Sequence, residues 1–198
     1  MLSVSNVSAG AAASGYYSTE GYYAAGSPEA EAAAQWFGRA AEYLAAEGQM
    51  EFQGPINDRV FADLLDGRAP PTEKNEKAEW RQGQILGRWV DGEREHRPGI
   101  DLTFSASKSV SIMALVAKDN RIIAAHDAAV RAAMTWIEAN AVATRRAGPD
   151  GDIEVVQGGK IIAGLFRHDT SRALDPQLHS HAVIANMVLN PDGKWTAL

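Results

Sequence analysis

Cysteine is absent from the 198 residues of this chain. Its absence excludes disulfide bonds, thiolate metal ligands and cysteine nucleophiles, and it is compatible with a reducing compartment. The sequence also lacks an apolar run of about 20 residues, the length that a membrane-spanning helix needs. Its first residues, MLSVSNVSAG, carry none of the basic residues that open a secretory signal. We therefore expect a cytoplasmic protein without a membrane segment.

Basic residues are scarce as well. The net charge is −6, which disfavours a surface that is basic throughout and binds nucleic acid without selectivity. The imbalance is concentrated in residues 1–54, which contain six acids and one base, Arg39. Residues 55–198 contain 18 bases and 19 acids, so a local basic groove is compatible with this part of the chain, although composition alone does not indicate one.

Hydrophobic residues make up 45% of the chain, enough for one domain with a core of its own. Apolar periodicity, together with glycine stop signals at Gly48 and Gly67, predicts helices over residues 29–48, 58–67, 107–117 and 121–146. The last helix has Asp119 or Asn120 as its predicted cap. Strands are predicted over residues 85–90, 99–106, 152–158, 159–169 and 178–190. This order indicates one α+β domain with helices on one face of a largely antiparallel sheet.

Three of the five histidines, His168, His179 and His181, fall within fourteen residues. His179 and His181 are two apart on a predicted strand, so they share a face. His168 ends the preceding strand, and antiparallel pairing would bring it beside them. Three converging imidazoles are typical of a divalent-metal site with positions open for water or substrate, although hydrogen-bonded structural histidines are the alternative. We interpret His96 and His126 as structural.

Asp101 lies on the predicted strand 99–106, on the face opposite Ile100, Leu102 and Phe104. A carboxylate there would accept the second N–H of a metal-bound histidine or help to deprotonate a nucleophile. A solvated strand aspartate is the alternative, and spacing alone does not separate the two.

Four of the five tyrosines occur as two adjacent pairs, Tyr16 with Tyr17 and Tyr22 with Tyr23. An aromatic packing patch is the alternative that adjacent tyrosines alone favour, although the surrounding glycine, serine and alanine offer little to pack against. A phenol has a pKa of about 10 and becomes a good nucleophile only beside a metal or a base. Attack by Tyr16 on a phosphodiester would leave a covalent phosphotyrosine. Because Gly21 interrupts the segment, helical spacing does not decide between Tyr22 and Tyr23 as its partner.

Three motifs, YYSTEGYY, PGIDLTFSASKSVS and FRHDTSRALDPQLHSHAVIANM, follow one another in this order. Together they resemble the relaxase domain of conjugative relaxases of the TrwC/TraI type, a branch of the HUH endonucleases, over nearly the whole chain. The resemblance implies an HUH-type antiparallel sheet with helices packed on it. It also implies a metal-dependent endonuclease that nicks one strand at a plasmid transfer origin. Such domains continue past the point where this chain stops, so we expect residues 1–198 to be one relaxase domain, truncated at its C-terminus and without a second domain.

The resemblance also implies roles for individual residues. A triad would hold Mg²⁺ or Mn²⁺, and its members are His168, His179 and His181. Asp101 would support the first tyrosine and the triad. Tyr16 would nick the DNA, keeping the 5′ phosphate covalently and releasing a 3′ hydroxyl. Tyr22 or Tyr23 would act in a second transesterification.

The expected DNA contacts are Tyr17, Lys108 and Arg172, with the last two on backbone phosphates. The expected partners are single-stranded DNA at a transfer origin, accessory relaxosome proteins and a secretion coupling protein.

Three other functions remain open at this point. A rolling-circle replication initiator would share the histidines and the tyrosine, although the paired tyrosines and DLTFSA favour a relaxase. A three-histidine hydrolase, with zinc, would use an activated water and need no tyrosine. A non-catalytic DNA-binding module would use the tyrosines only to stack on bases.

Overall fold

The computed structural model describes residues 1–8, 33–72, 84–147, 152–171 and 173–198. The helices are α1 (Arg39–Ala46), α2 (Asp58–Leu65), α3 (Lys108–Ser111) and α4 (Asn120–Asn140), with a 3₁₀ turn at Met50–Phe52 and a π-helical turn at Ile112–Val116. The strands are β1 (Leu2–Asn6), β2 (Ala34–Phe37), β3 (Arg88–Val90), β4 (Glu93–Glu95), β5 (Gly99–Ser105), β6 (Ala143–Ala147), β7 (Ile153–Gln157), β8 (Lys160–Thr170), β9 (Pro176–Leu189) and β10 (Trp195–Thr196). Within these ranges no helix has both the length and the apolar character that crossing a membrane requires.

One six-stranded sheet organises the described residues. Its strand order is β1-β5-β9-β8-β2, with β10 paired to the end of β9, and every pairing is antiparallel. The pairs β3–β4 and β6–β7 form two separate hairpins. The prediction of a largely antiparallel α+β fold is confirmed.

Helices cover both faces of this sheet. On one face, α1 and α2 bury side chains such as Leu64 against Val183 of β9. On the other face, α4 buries Met134 against Ile184, which directly follows Val183 on β9 and therefore points to the opposite side of the sheet. The prediction that helices occupy one face only is therefore wrong. It fails because the central strands β8 and β9 present apolar side chains on both sides, and each side needs its own cover.

Two predicted helices are also wrong in extent. The segment 29–48 contains strand β2 before α1, because residues 34–37 pair with β8, and Gly38 turns the chain with φ of 104° between the two elements. The helix predicted to reach residue 146 ends at Asn140, and residues 143–147 pair with β7 instead. Local composition favours helix in both places, and pairing with distant strands overrides it.

Of the other boundaries, the strand predicted over residues 85–90 is confined to Arg88–Val90, and the following agree with the sequence. The α2 helix ends just before Gly67, whose φ of 78° is the left-handed conformation of a helix stop. The Asp119 carboxylate caps α4 by accepting from the Arg121 amide at 3.1 Å. Strand β5 covers the predicted segment almost completely.

The buried carboxylate of Glu138 joins three elements. Its Oε1 accepts from the Ile161 amide of β8 at 2.9 Å and from the Arg39 amide of α1 at 3.0 Å. The preceding Gly38 has no side chain to cap α1, so a residue of α4 satisfies the first amide of that helix.

We expect Glu138→Ala to lower the free energy of unfolding by about 2–4 kcal/mol, because it leaves the buried Ile161 amide and the half-buried Arg39 amide without an acceptor. Glu138→Gln, which keeps a carbonyl oxygen, should lose less. Urea unfolding followed by circular dichroism measures both variants. The control is Glu42→Ala on the exposed side of α1. Equal stabilities for Glu138→Ala and this control would contradict the assigned role.

Candidate metal centre and nucleic-acid interface

The register of β8 and β9 brings the three histidines together. His168 pairs directly with His179, and His181 lies opposite Phe166 on β8 and Thr103 on β5. The imidazole centroids are 5.2, 5.2 and 5.3 Å apart, so the rings form a nearly equilateral triangle. One ligand atom from each residue lies within 4.8 Å of the others. His168 and His179 are buried, and His181 is nearly so.

Hydrogen bonds set the tautomers of two of these histidines. The Nδ1–H of His181 donates to the Asp101 carboxylate, whose oxygens lie 2.8 and 3.0 Å away. The Nδ1–H of His179 donates to the backbone carbonyl of Gln177 at 3.0 Å. Each ring therefore keeps the lone pair of Nε2 for a ligand, the arrangement that metal-binding histidines adopt. The donor set fits a divalent metal held by three imidazole nitrogens, with further positions open.

Asp101 is buried rather than solvated, with 6% of its surface exposed. It pairs with Val183 on β9, and its side chain reaches His181 diagonally across the same face of the sheet. Of the two alternatives that the sequence left open for Asp101, the structure shows the contact with a histidine of the triad.

The α3 segment is fixed to the start of β9 by Ser111. Its buried Oγ accepts from the Leu178 amide at 3.0 Å and donates to the Ser107 carbonyl at 2.9 Å. Lys108, at the start of α3, places its Nζ 3.8 Å from the Asp175 carboxylate, and more than half of each side chain is exposed. A weak exposed ion pair of this kind leaves Lys108 accessible to another anion.

Several predicted site residues lie outside the described residues. They are Tyr16, Tyr17, Tyr22, Tyr23 and Arg172.

The other two histidines lie outside the triad. His126 of α4 places its Nε2 2.9 Å from Ser180 Oγ. Burial of the ring lowers the pKa of His126. Asp127 opposes this shift, whereas Arg167 and His179 reinforce it. His96 follows β4 and stacks on Gly67 so closely that a Cβ there would lie 2.8 Å from the ring. Burial, reinforced by Arg94, lowers its pKa too. Both shifts favour the neutral imidazole.

A groove of about 860 Å³ opens near the far end of β9 from the histidines. Arginines line it, namely Arg88, Arg94, Arg97 and Arg145. Arg88 pairs with Glu95 and Arg94 with Asp66, whereas Arg97 and Arg145 have no ion pair within the described ranges. Sequence reasoning missed this groove because its members are far apart in the chain. The nearly neutral balance of residues 55–198 was compatible with a basic groove but did not indicate one.

The family model for the TrwC relaxase matches residues 9–198. The multifunctional conjugation protein TraI of Escherichia coli strain K12 is 43% identical over 199 aligned residues, which cover 100% of this chain and 10% of TraI. This chain thus spans about a tenth of the length of that relative. Its fold matches a metal-bound conjugative relaxase TrwC in complex with oriT DNA, with a TM-score of 0.76, 37% identity, and coverage of 100% of this chain and 61% of the other. A copper-bound TrwC complex with oriT DNA matches with a TM-score of 0.79 and 36% identity, covering 100% of this chain and 61% of that one.

We expect Asp101→Asn to weaken Mn²⁺ binding about 10- to 100-fold, because the neutral amide no longer orients and polarises His181. Isothermal titration calorimetry on the metal-free protein measures the change. The matched control is Asp175→Asn, which removes the same charge from an exposed site and should change affinity by no more than about twofold. Equal losses in the two variants would show that only net charge matters.

Proposed function

Because the chain belongs to the TrwC relaxase family, we propose that it is a metal-dependent transesterase that nicks single-stranded DNA at a plasmid transfer origin for conjugative transfer. The observation that carries this proposal is the buried histidine triangle, backed by Asp101, in a chain that matches TrwC relaxases over its whole length. We propose that residues 1–198 act as one relaxase domain in the cytoplasm, where the DNA substrate is found.

We propose Mg²⁺ or Mn²⁺ as the working metal, held by His168, His179 and His181. A bound divalent ion would withdraw charge from the oxygens of the scissile phosphate. Asp101 keeps the Nδ1 proton on His181, and the Gln177 carbonyl keeps it on His179, so both rings present an unprotonated Nε2. The metal-bound TrwC structure supports the presence of a metal, without identifying which one.

We propose Tyr16 as the nucleophile. Its phenolic oxygen would form a bond to phosphorus while the bond from phosphorus to the 3′ oxygen breaks. The product is a 5′ phosphate esterified to Tyr16 and a free 3′ hydroxyl, which forms when the leaving 3′ oxygen takes up the one proton that the phenol loses. Tyr22 or Tyr23 would carry out the second transesterification. The family match over residues 9–198 includes both tyrosine pairs and supports these assignments.

We propose that the DNA strand is held at both ends of the sheet. Lys108, with Tyr17 and Arg172, would contact it near the histidines, and Arg97 and Arg145 would bind phosphates in the basic groove. His181 and Asn186 at the groove are five residues apart on β9, which corresponds to about 17 Å along a strand. Accessory relaxosome proteins and a secretion coupling protein remain proposed partners.

The first test looks for the covalent product. The protein is mixed with Mn²⁺ or Mg²⁺ and single-stranded oligonucleotides that tile the transfer origin of its native replicon, and adducts are separated on denaturing gels. We expect a metal-dependent adduct that Tyr16→Phe abolishes, because phenylalanine has no nucleophilic oxygen. Tyr43→Phe is the matched control, since Tyr43 packs in the core beneath Lys160, and it should form the adduct normally.

Peptide mapping locates the modified tyrosine. Cleavage after Glu20 separates Tyr16 and Tyr17 from Tyr22 and Tyr23, so mass spectrometry assigns the nucleotide to one pair. Modification of the second pair in a first-round reaction would contradict the assignment of Tyr16. DNA binding without any adduct would indicate a binding module, and full cleavage by Tyr16→Phe would indicate a hydrolase. Adducts formed only at a replication origin would indicate an initiator.

We expect Arg97→Ala and Arg145→Ala each to weaken binding to all the oligonucleotides. Each should also lower the slope of log affinity against log salt concentration by about 0.7, the value for one lost phosphate contact to a single strand. Fluorescence anisotropy at several salt concentrations measures both quantities. Arg59→Ala, an exposed arginine on α2 outside the groove, is the control. Slopes equal to that of the control would exclude the groove as a phosphate site.

A further inference from the structure

The face of the sheet behind the histidines is held by polar contacts from α4. Arg167 and Ser180 pair with one another in the β8–β9 ladder, and each adjoins a histidine in the sequence. Arg167 Nη1 donates to Asp127 Oδ2 at 2.5 Å, and His126 Nε2 lies 2.9 Å from Ser180 Oγ. His126 and Asp127, which are consecutive on α4, therefore contact Ser180 and Arg167, which pair with one another on the face of the sheet opposite the triad.

These contacts lie where apolar packing between α4 and the sheet is incomplete. The buried apolar residues of α4, Val130 and Met134, lie one or more turns further along the helix, and Ile122 and Ile123, about one turn before these contacts, are only half-buried. A small open pocket of about 30 Å³ lies between the helix and the strands beside the polar contacts, with Asp127 and Val130 in its lining. Dispersion forces act only between atoms in close contact. Because that contact is incomplete here, the position of the strands relative to α4 depends more on the directional hydrogen bonds.

The backbone ladder is irregular at the same place. The register of β8 and β9 shifts between His168 and Thr170, immediately after the pair of His168 with His179. A bulge bends a strand and changes the direction of neighbouring side chains. The regular hydrogen-bond pattern therefore supports His168 from one side only, and a second support is needed to fix the direction of its ring.

We propose that His126 and Asp127 are positioning residues of the metal centre. Acting through Ser180 and Arg167, they hold β8 and β9 so that the three imidazoles converge on one point. This inference rests on the metal-dependent function proposed above. Ligands must be held to within about 0.5 Å of their working geometry, and supports behind the ligands supply that precision.

The test compares metal binding in Ser180→Ala and His126→Ala with the wild-type protein. We expect the Kd for Mn²⁺, measured by calorimetry, to rise about tenfold in each variant, in the range for lost outer supports of a metal site. The visible absorption spectrum of bound Co²⁺ should also change, because it reports the ligand geometry. Ser180→Thr, which keeps the hydroxyl, should restore both values.

Arg131→Ala is the matched control. It removes another polar contact of α4, the one with Gln35 of β2, a residue that lies on neither β8 nor β9. Its Mn²⁺ affinity should stay within about twofold of wild type, as for a surface contact. Circular dichroism of the metal-free proteins verifies that each variant is folded.

Three results would overturn the proposal. Variants at Ser180 and His126 that are less stable but keep the wild-type affinity and Co²⁺ spectrum would show a purely structural role. A loss in Arg131→Ala equal to that in His126→Ala would assign the effect to α4 as a whole. A wild-type protein that takes up neither Mn²⁺ nor Co²⁺ would remove the metal centre together with this proposal, whereas the first two results leave the metal centre intact.

Discussion

The antiparallel pairing of β8 with β9, with His168 opposite His179, is the constraint on which the rest of the site depends. Because side chains alternate along a strand, a slip of one residue would move a histidine to the opposite face. The same register places His181 beside β5, where Asp101 reaches it diagonally. One hydrogen-bonded ladder thus determines both the ligands and the carboxylate that orients one of them.

The position of the site follows from the way the sheet is covered. Along most of their length, β8 and β9 are buried on both faces by helices, and they carry apolar side chains there. Polar residues appear where this double cover ends, with the histidines on one face and Arg167 and Ser180 on the other. Polar groups in such a place must be hydrogen-bonded, which restricts the directions that they can take.

Much of the site could be predicted from the sequence because its signals are local. A spacing of two on one strand is enough to place His179 and His181 on the same face, and alternation in GIDLTFSA is enough to separate Asp101 from its apolar neighbours. Strand β2 could not be predicted, because its alanine-rich segment has helical composition and pairs with Phe166, more than 100 residues away. The same limit applies to the groove, which brings together Arg97 and Arg145 from distant segments.

The three-way contact of Glu138 has a consequence for how the molecule unfolds. Its carboxylate joins α4 on one face of the sheet to α1 on the other, with β8 between them. If either helix separated alone, the carboxylate would lose an amide partner in a region of low dielectric. The two faces are therefore energetically coupled through a single side chain, and the helices on opposite sides of the sheet belong to one cooperative unit.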